Sequence, residues 1–360
     1  MKSDVSGIVD EAENDQVSIL IGDNGGGKSQ MLSDLAIYYI SKGRSVISIA
    51  NCVQDKFFLN SKRHNFIGAR YGSEMFKIAI LKALMSLGRN DSNSHILARA
   101  LDYSGYLPDI GISYYSRGVQ REGYYVKEFK NKGLDDVDFW IDLSSSSTGY
   151  GYGINSIKNL SESFRFQDDL SPIPVSFFFK KKDKRCIPLS LISSGEAARI
   201  TIYFFIAAYI EDGAVVIIDE PENSLHPRWQ RKFVESILDI FYLYSPRILI
   251  ATHSPLIISK KSMVYKIENF KVVDHFHGSD NTEEKLMEMF EIVSQQSAFL
   301  SRYIVNFLED YRNRKLSYQH VLKKIEELER MVDSDSQKKM LKEIAFAARK
   351  LKGDGDSDLY

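Results

Sequence analysis

Residues 22–29 read GDNGGGKS, and this segment with its flanks constrains the fold more than any other stretch of the chain. Val17 to Ile21 (VSILI) is a short apolar run suited to a buried strand. Four of the six residues from Gly22 to Gly27 are glycine. Glycine tolerates positive φ, so backbone N–H groups can converge on one point. A helical pattern begins at Ser29 and carries Met31, Leu32, Leu35, Ala36 and Tyr39. Strand, glycine loop, Lys-Ser and helix together form G-x-x-x-x-G-K-[ST], in which phosphate oxygens meet loop N–H groups and a helix N-terminus. Asp23, Asn24, Gly25, Gly26, Gly27, Lys28, Ser29 and Gln30 are the candidate phosphate contacts. Within them Lys28 is expected to reach the β- and γ-phosphates, and the Ser29 hydroxyl to ligate Mg²⁺.

Two later strand runs fit this loop. Ala214 to Ile218 (AVVII) is followed directly by Asp219-Glu220-Pro221. An Asp at such a strand end holds Mg²⁺ together with the loop serine. A neighbouring carboxylate can orient or deprotonate the attacking water, so Asp219 is the metal candidate and Glu220 the base. Pro221 has no N–H to donate and ends the strand. Arg247 to Thr252 (RILIAT) is the second run and ends at His253-Ser254-Pro255. A histidine at that strand end is placed to donate a hydrogen bond to a γ-phosphate. Glu220, His253 and Lys28 are therefore the candidate catalytic residues.

The segments GDNGGGKS, LISSGEAAR, VVIIDEPENSLHP and ATHSP, in this order, resemble the ABC-type ATPase heads of the SMC, RecF and OLD group. The likeness is greatest to small bacterial ATPases of antiphage defence operons, such as PtuA of Septu-type systems. The resemblance implies an α/β P-loop fold with a mixed or parallel sheet core, an insert lobe and a helical tail. It also implies ATP and Mg²⁺ as cofactors and a head-to-tail dimer that buries ATP between two copies. On this reading Ser193, Ser194, Gly195 and Glu196 form a signature loop that contacts the nucleotide of the partner copy. Ser194 stands where many relatives have glycine, and Glu196 where transport ATPases often have glutamine. Asn223, Ser224 and Leu225 would form the loop that crosses the dimer interface, and His226-Pro227 would open a helix through Trp229, Phe233, Ile237 and Leu238, with His226 packing at the interface.

The chain departs from that pattern in two places. Only 21 residues precede Gly22, and none is aromatic. The antiparallel lobe and adenine-stacking residue that such heads carry there are either reduced or supplied by later segments. Gln54, after the strand Val46 to Ala50, is the candidate interlobe glutamine, with Gln167 as a weaker one. The 165 positions between Lys28 and Ser193 hold no sustained heptad, which argues against a long-armed DNA tether.

Residues 1–280 are expected to form the ATPase head: 1–60 the phosphate-loop unit, 61–190 a variable insert, and 187–260 the signature and strand motifs. Residues 281–360 are expected to form a helical tail, capped at Thr282, that covers the head or docks a partner. No strand-Asp-x-Asp pattern in the tail points to a nuclease. Asp274-His275-Phe276-His277 reads as a solvated strand end and not as a metal site. Two isolated cysteines, Cys52 and Cys186, fit a reducing cytosol, and the acidic N-terminus has no apolar core of a signal peptide. No run reaches membrane-spanning length. A net charge of −1 gives no global argument for nucleic acid. Lys180, Lys181, Lys182, Lys184 and Arg185 form a local basic run, more often a solvated loop than a phosphate contact.

The function expected is a cytoplasmic ATPase that dimerises around ATP and Mg²⁺ and regulates a separately encoded effector, a nuclease of antiphage defence. The rivals are a RecF-like clamp on DNA and a nucleotide-locked scaffold with little turnover.

Overall fold

A computed structural model describes residues 5–11, 16–87, 92–114, 137–144, 175–289, 298–313, 315–332 and 334–355. Gln167 lies outside them, as does most of the glycine- and serine-rich segment 144–153. The chain divides into two compact units, residues 1–257 with 261–276, and residues 258–260 with 277–360.

The first unit is built on a seven-stranded sheet. In chain order it contains α1 (Ser6–Glu11), β1 (Val17–Ile21), α2 (Lys28–Ser41), β2 (Val46–Ala50), β3 (His64–Gly68), α3 (Glu74–Leu87) and α4 (Ser92–Ser104). Then come β4 (Tyr106–Tyr114), β5 (Phe139–Asp142), β6 (Val175–Lys181), β7 (Cys186–Pro188) and α5 (Ser194–Tyr209). β8 (Val215–Asp219), α6 (Pro227–Gln230), α7 (Phe233–Ile240), β9 (Arg247–Ala251), β10 (Met263–Glu268) and β11 (Lys271–His277) complete it. The large sheet has the order β11-β10-β1-β9-β8-β2-β3. The five pairings from β10 across to β3 are parallel, while β11 returns from β10 as a hairpin.

The four central strands β1, β2, β8 and β9 are buried at every position. This is why their sequences are continuous Val/Ile/Leu runs and not alternating ones: a parallel sheet is covered on both faces. Helix α2 packs on β2, β8 and β9. Asp219 therefore ends a fully buried strand, and Glu220 and His253 follow two neighbouring strand ends.

The segment between the phosphate loop and the signature supplies a second sheet. Its order is β5-β4-β6-β7, antiparallel throughout. An antiparallel sheet is thus supplied by segments that follow the phosphate loop. α5 lies against α3 and α4. Its residues Ala197 to Ala207 are all buried, as an all-round apolar helix requires.

The segment after His226 is not one helix. Four residues of α6 are followed by a turn at Arg231-Lys232 and then α7. The His226 Nδ1 accepts the Arg228 N–H at 3.2 Å, so this side chain caps α6 and Pro227 takes the first helical position.

The second unit holds α8 (Ala298–Arg312), α9 (Tyr318–Met331) and α10 (Asp335–Gly355). Leu300 and Ile304, Val321, Ile325 and Leu328, and Leu341 and Ala348 form their shared core. Ser317 caps α9 by accepting from the His320 N–H. The turn at residues 282–284 is capped by Asn281, not Thr282. The Asn281 Oδ1 accepts the Glu283 N–H at 3.0 Å, the geometry of an Asx turn. That turn runs into a π-helical stretch, Lys285–Met289.

Candidate nucleotide site

The phosphate loop leaves β1 and is closed by its own glycines. Gly22 has φ of 146°, and a Cβ there would lie 2.2 Å from the Ile267 carbonyl oxygen. No other residue fits so close to β10 without displacing backbone. The Gly26 N–H donates to the Asp23 oxygen at 3.1 Å and closes the turn. Asp23, Asn24 and Gly25 are exposed at its tip. Lys28 opens α2 and is 5% exposed. Its Nζ donates to the Gly22 and Asp23 carbonyl oxygens at 2.9 and 3.1 Å, and stands 2.8 Å from His253 Nε2. Burial lowers the Lys28 pKa, with Glu220 and Asp219 opposing. Burial and the neighbouring Lys28 cation also lower that of His253, which favours neutral imidazole with Nε2 as an acceptor. Gln30 donates to Asp34 at 3.1 Å, one turn along the helix.

Two carboxylates face this lysine from β8. Asp219 is fully buried, and its Oδ1 has no hydrogen-bond partner among the described residues. Burial raises its pKa, opposed by hydrogen bonds from Ser29 and Cys52. A buried carboxylate oxygen without a partner, beside a serine hydroxyl, is a hard-oxygen pair suited to Mg²⁺, which takes one or two protein ligands and completes its shell with phosphate and water. Glu220 follows with φ of 55°, in the left-handed region, its N–H bonded to the Ala251 oxygen at 2.9 Å. Its Oε1 is 3.3 Å from His253 Nε2. Burial, then the Glu222 and Asp219 carboxylates, push its pKa up to about 7.

Three residues that the sequence reading did not single out belong here. Glu222 accepts the His253 backbone N–H at 2.6 Å. The second acid of D-E-P-E was the available signal. Cys52, read as isolated, places its Sγ 3.7 Å from Asp219 Oδ2, and burial and that carboxylate push the thiol up to about 12. Phe270, in the turn between β10 and β11, packs on Gly27 and donates its N–H to the Gly26 oxygen at 2.9 Å. By contrast, Gln54 is exposed in the loop after β2.

The signature residues form a separate group. Ser193 caps α5 in a capping box with Glu196: its Oγ donates to Glu196 Oε2 at 2.7 Å, and the Ser193 N–H donates to the same oxygen at 3.3 Å. Lys181, from β6, donates to Glu196 Oε1 at 3.0 Å. Burial would raise the Glu196 pKa, but the Ser193 hydroxyl and Lys181 outweigh it and hold it low. Ser193 and Ser194 are exposed, while Gly195 lies against the following loop: a Cβ there would meet the Ser224 oxygen at 2.7 Å. One turn on, the Arg199 guanidinium is buried with its Cζ 3.5 Å from the Trp229 ring centroid, and its Nη1 donates to the Tyr103 oxygen at 3.0 Å. The loop after β8 and α6 are thus packed against α5.

The basic run is the turn between β6 and β7, and acids meet most of it. Lys180 pairs with Asp109, Lys181 with Glu196, Lys182 with Asp102 and Arg185 with Asp183. Asp274, His275 and His277 lie exposed on β11, and among the described residues no group of three or more His, Cys, Asp or Glu side chains gathers as a metal site. None of the described helices is long and apolar enough to cross a membrane.

Residues 83–259 match the family described as "AAA domain, putative AbiEii toxin, Type IV TA system". That stretch contains Ser193, Asp219, Glu220 and His253 and begins after the phosphate loop. The lipoprotein-releasing system ATP-binding protein LolD of Buchnera aphidicola subsp. Acyrthosiphon pisum (strain APS) is 29% identical over 97 residues. The alignment covers 27% of this chain and 41% of that relative's length. Among solved structures, an ATP-binding cassette of an ABC transporter in its ADP conformation aligns over 76% of this chain and 85% of its own, at 12% identity and a TM-score of 0.33. CbiO1 of Clostridium perfringens aligns over 30% of this chain and 41% of its own, at 22% identity and a TM-score of 0.23. The strand order and the glycine loop that opens α2 give the chain an α/β fold of the P-loop kind.

Proposed function

We propose that this protein binds ATP with Mg²⁺ and hydrolyses it in a dimer whose two sites each draw residues from both copies. One observation carries the reading. Lys28, Asp219, Glu220 and His253 converge at the ends of β1, β8 and β9, whereas Ser193 is exposed on another group, tied to Glu196 and Lys181. In this mechanism the loop N–H groups, Lys28 and Gln30 hold the phosphates. Ser29 and Asp219 hold Mg²⁺, which when bound neutralises charge on the phosphate oxygens. Glu220 takes the proton of the attacking water, a role for which a carboxylate titrating near 7 is well matched. His253 contacts the terminal phosphate and is held by Glu222. Ser193 of the second copy closes the site.

Hydrolysis removes contacts across the interface, so the cycle switches the pair between closed and open. The differential affinity of nucleotide for the closed state drives that switch. The switch regulates a separately encoded effector in the cytoplasm, a nuclease in the defence reading. The toxin–antitoxin description of the matched family supports an effector role over a housekeeping one. The acid-paired basic run favours this over a DNA clamp.

The test is complementation. Lys28→Ala and Ser193→Arg chains, each inactive alone, should regain ATP turnover when mixed, because a mixed pair rebuilds one complete site. No regain, or full turnover by a strictly monomeric protein, would refute the shared site. A wild-type protein that binds ATP and releases no phosphate over multiple turnovers would favour the locked scaffold.

A further inference from the structure

Strands β2 and β8 run parallel with Ala50 beside Asp219, and the Asn51 N–H donates to the Asp219 carbonyl oxygen at 3.0 Å. The backbone that follows β2 is thereby fastened to the last residue of β8. Two positions past Ala50, Cys52 places its Sγ 3.7 Å from Asp219 Oδ2. An ionised carboxylate only accepts, so the thiol hydrogen is the one shared between them. Cys52 is partly buried and also packs against the core that α2 and the large sheet share.

The other oxygen of this carboxylate is treated differently. Asp219 is fully buried, yet Oδ1 has no hydrogen-bond partner among the described residues. A buried acceptor without a donor is costly, and a fold that keeps one open is suited to a ligand. The two oxygens of an aspartate are equivalent until a neighbour distinguishes them, because its χ2 rotation is broad and sets no sharp preference. Ser29 and Cys52 are the described side chains that hydrogen-bond this carboxylate. Once the Ser29 hydroxyl turns to a metal ion, Cys52 is the side-chain donor that remains on it.

We infer that Cys52 is a positioning residue for the metal site: its S–H holds Asp219 Oδ2, so that Oδ1 is the oxygen presented to Mg²⁺. This rests on the Mg²⁺–nucleotide reading above and deepens it. The thiol does not itself touch the ion. It acts through the carboxylate, as the hydrogen-bonding partners of metal ligands do in general, where their loss weakens metal binding about ten- to a hundredfold. A thiol is a weak donor, which puts Cys52 at the lower end of that range. A packing role alone makes a different demand: it asks for a side chain of this volume and not for a donor.

The experiment measures how much Mg²⁺ tightens binding of the non-hydrolysable analogue AMP-PNP, by calorimetry on the full chain in Mg²⁺ and in EDTA. Cys52→Val keeps an apolar side chain without a donor, and Cys52→Ala removes both donor and volume. Each should cut the Mg²⁺-dependent gain in affinity about tenfold and leave affinity in EDTA within about twofold of wild type, which also shows that the fold is intact. Cys52→Ser supplies a hydroxyl donor and should keep the gain within about threefold of wild type. An undiminished gain in the Val and Ala variants would overturn the inference. So would a loss in the Ser variant as large as that in Val, or a loss in Ala with none in Val, which would follow volume and not the donor. Equal losses in Mg²⁺ and in EDTA would also overturn it. A wild-type chain that binds AMP-PNP no more tightly in Mg²⁺ than in EDTA would instead overturn the metal reading of Ser29 and Asp219, and this inference with it.

Discussion

The backbone N–H of His253 donates to the Glu222 carboxylate at 2.6 Å, across two adjacent strand ends. Glu222 thereby fixes the loop that aims the His253 ring at Lys28, and its charge also lies against Glu220. A hydrogen bond to a charged acceptor is worth about 1.5–3 kcal/mol, enough to decide where the ring points.

Glu222→Ala should lower kcat by about ten- to a hundredfold if that bond acts mainly in the transition state. Nucleotide affinity should change little, because Lys28 and the glycine loop are untouched. Glu222→Gln keeps a carbonyl oxygen to accept the His253 N–H and should recover much of the rate. Steady-state kinetics with an independent ATP binding measurement checks this. A loss of affinity equal to the loss of rate would count against a positioning role.

Glu220 gives a pH signature in the nucleotide-free protein. Its pKa rises from 4.5 to about 7 on folding, so the folded chain binds this proton more tightly than the unfolded one. The stability it provides is complete below the unfolded value and is lost as pH rises through about 7. The full loss is about 3 kcal/mol. Glu220→Gln mimics the protonated form and should be more stable than wild type at pH 8, with the difference shrinking as pH falls toward 5. Denaturant unfolding at several pH values reads this directly. The same variant should bind ATP, trap closed dimers and fail to turn over. In the wild type, kcat should rise with pH through the Glu220 titration.

Arg199 is 2% exposed, and its charge is met by the Trp229 ring and the Tyr103 carbonyl. Removing the ring leaves a buried cation short of compensation. Trp229→Leu should cost about 2 kcal/mol or more of stability. The double variant Arg199→Met with Trp229→Leu should recover part of that loss, because the desolvated charge goes with the guanidinium. Thermal denaturation of both single variants and the double variant closes the cycle. Simple additivity would mean that the contact does not couple the signature helix to α6.

The strand, glycine loop and helix start around Lys28 were legible in the chain. VSILI-GDNGGGKS carries the apolar run, the glycines and the helix start within 25 residues, and each of those signals is local. The runs before Asp219 and His253 were legible for the same reason, since strands buried on both faces are written as unbroken apolar sequence. The antiparallel sheet was not legible, because β4, β5 and the β6–β7 hairpin lie far apart in sequence and only pairing makes them one lobe. The break between α6 and α7 escaped because the apolar spacing of Trp229, Phe233 and Ile237 continues across it.

What the sequence determined by itself was the inventory of residues: a glycine loop with Lys28 and Ser29, and Asp219, Glu220 and His253, each at or just after the end of a strand. What only the tertiary structure decided was how those groups are held. Glu222 on His253, Cys52 on Asp219, Phe270 on Gly27 and Lys181 on Glu196 join residues between 15 and 243 positions apart. Nothing in local propensity encodes such pairs. They exist because folding brings remote segments together, where burial favours pairing of most polar groups.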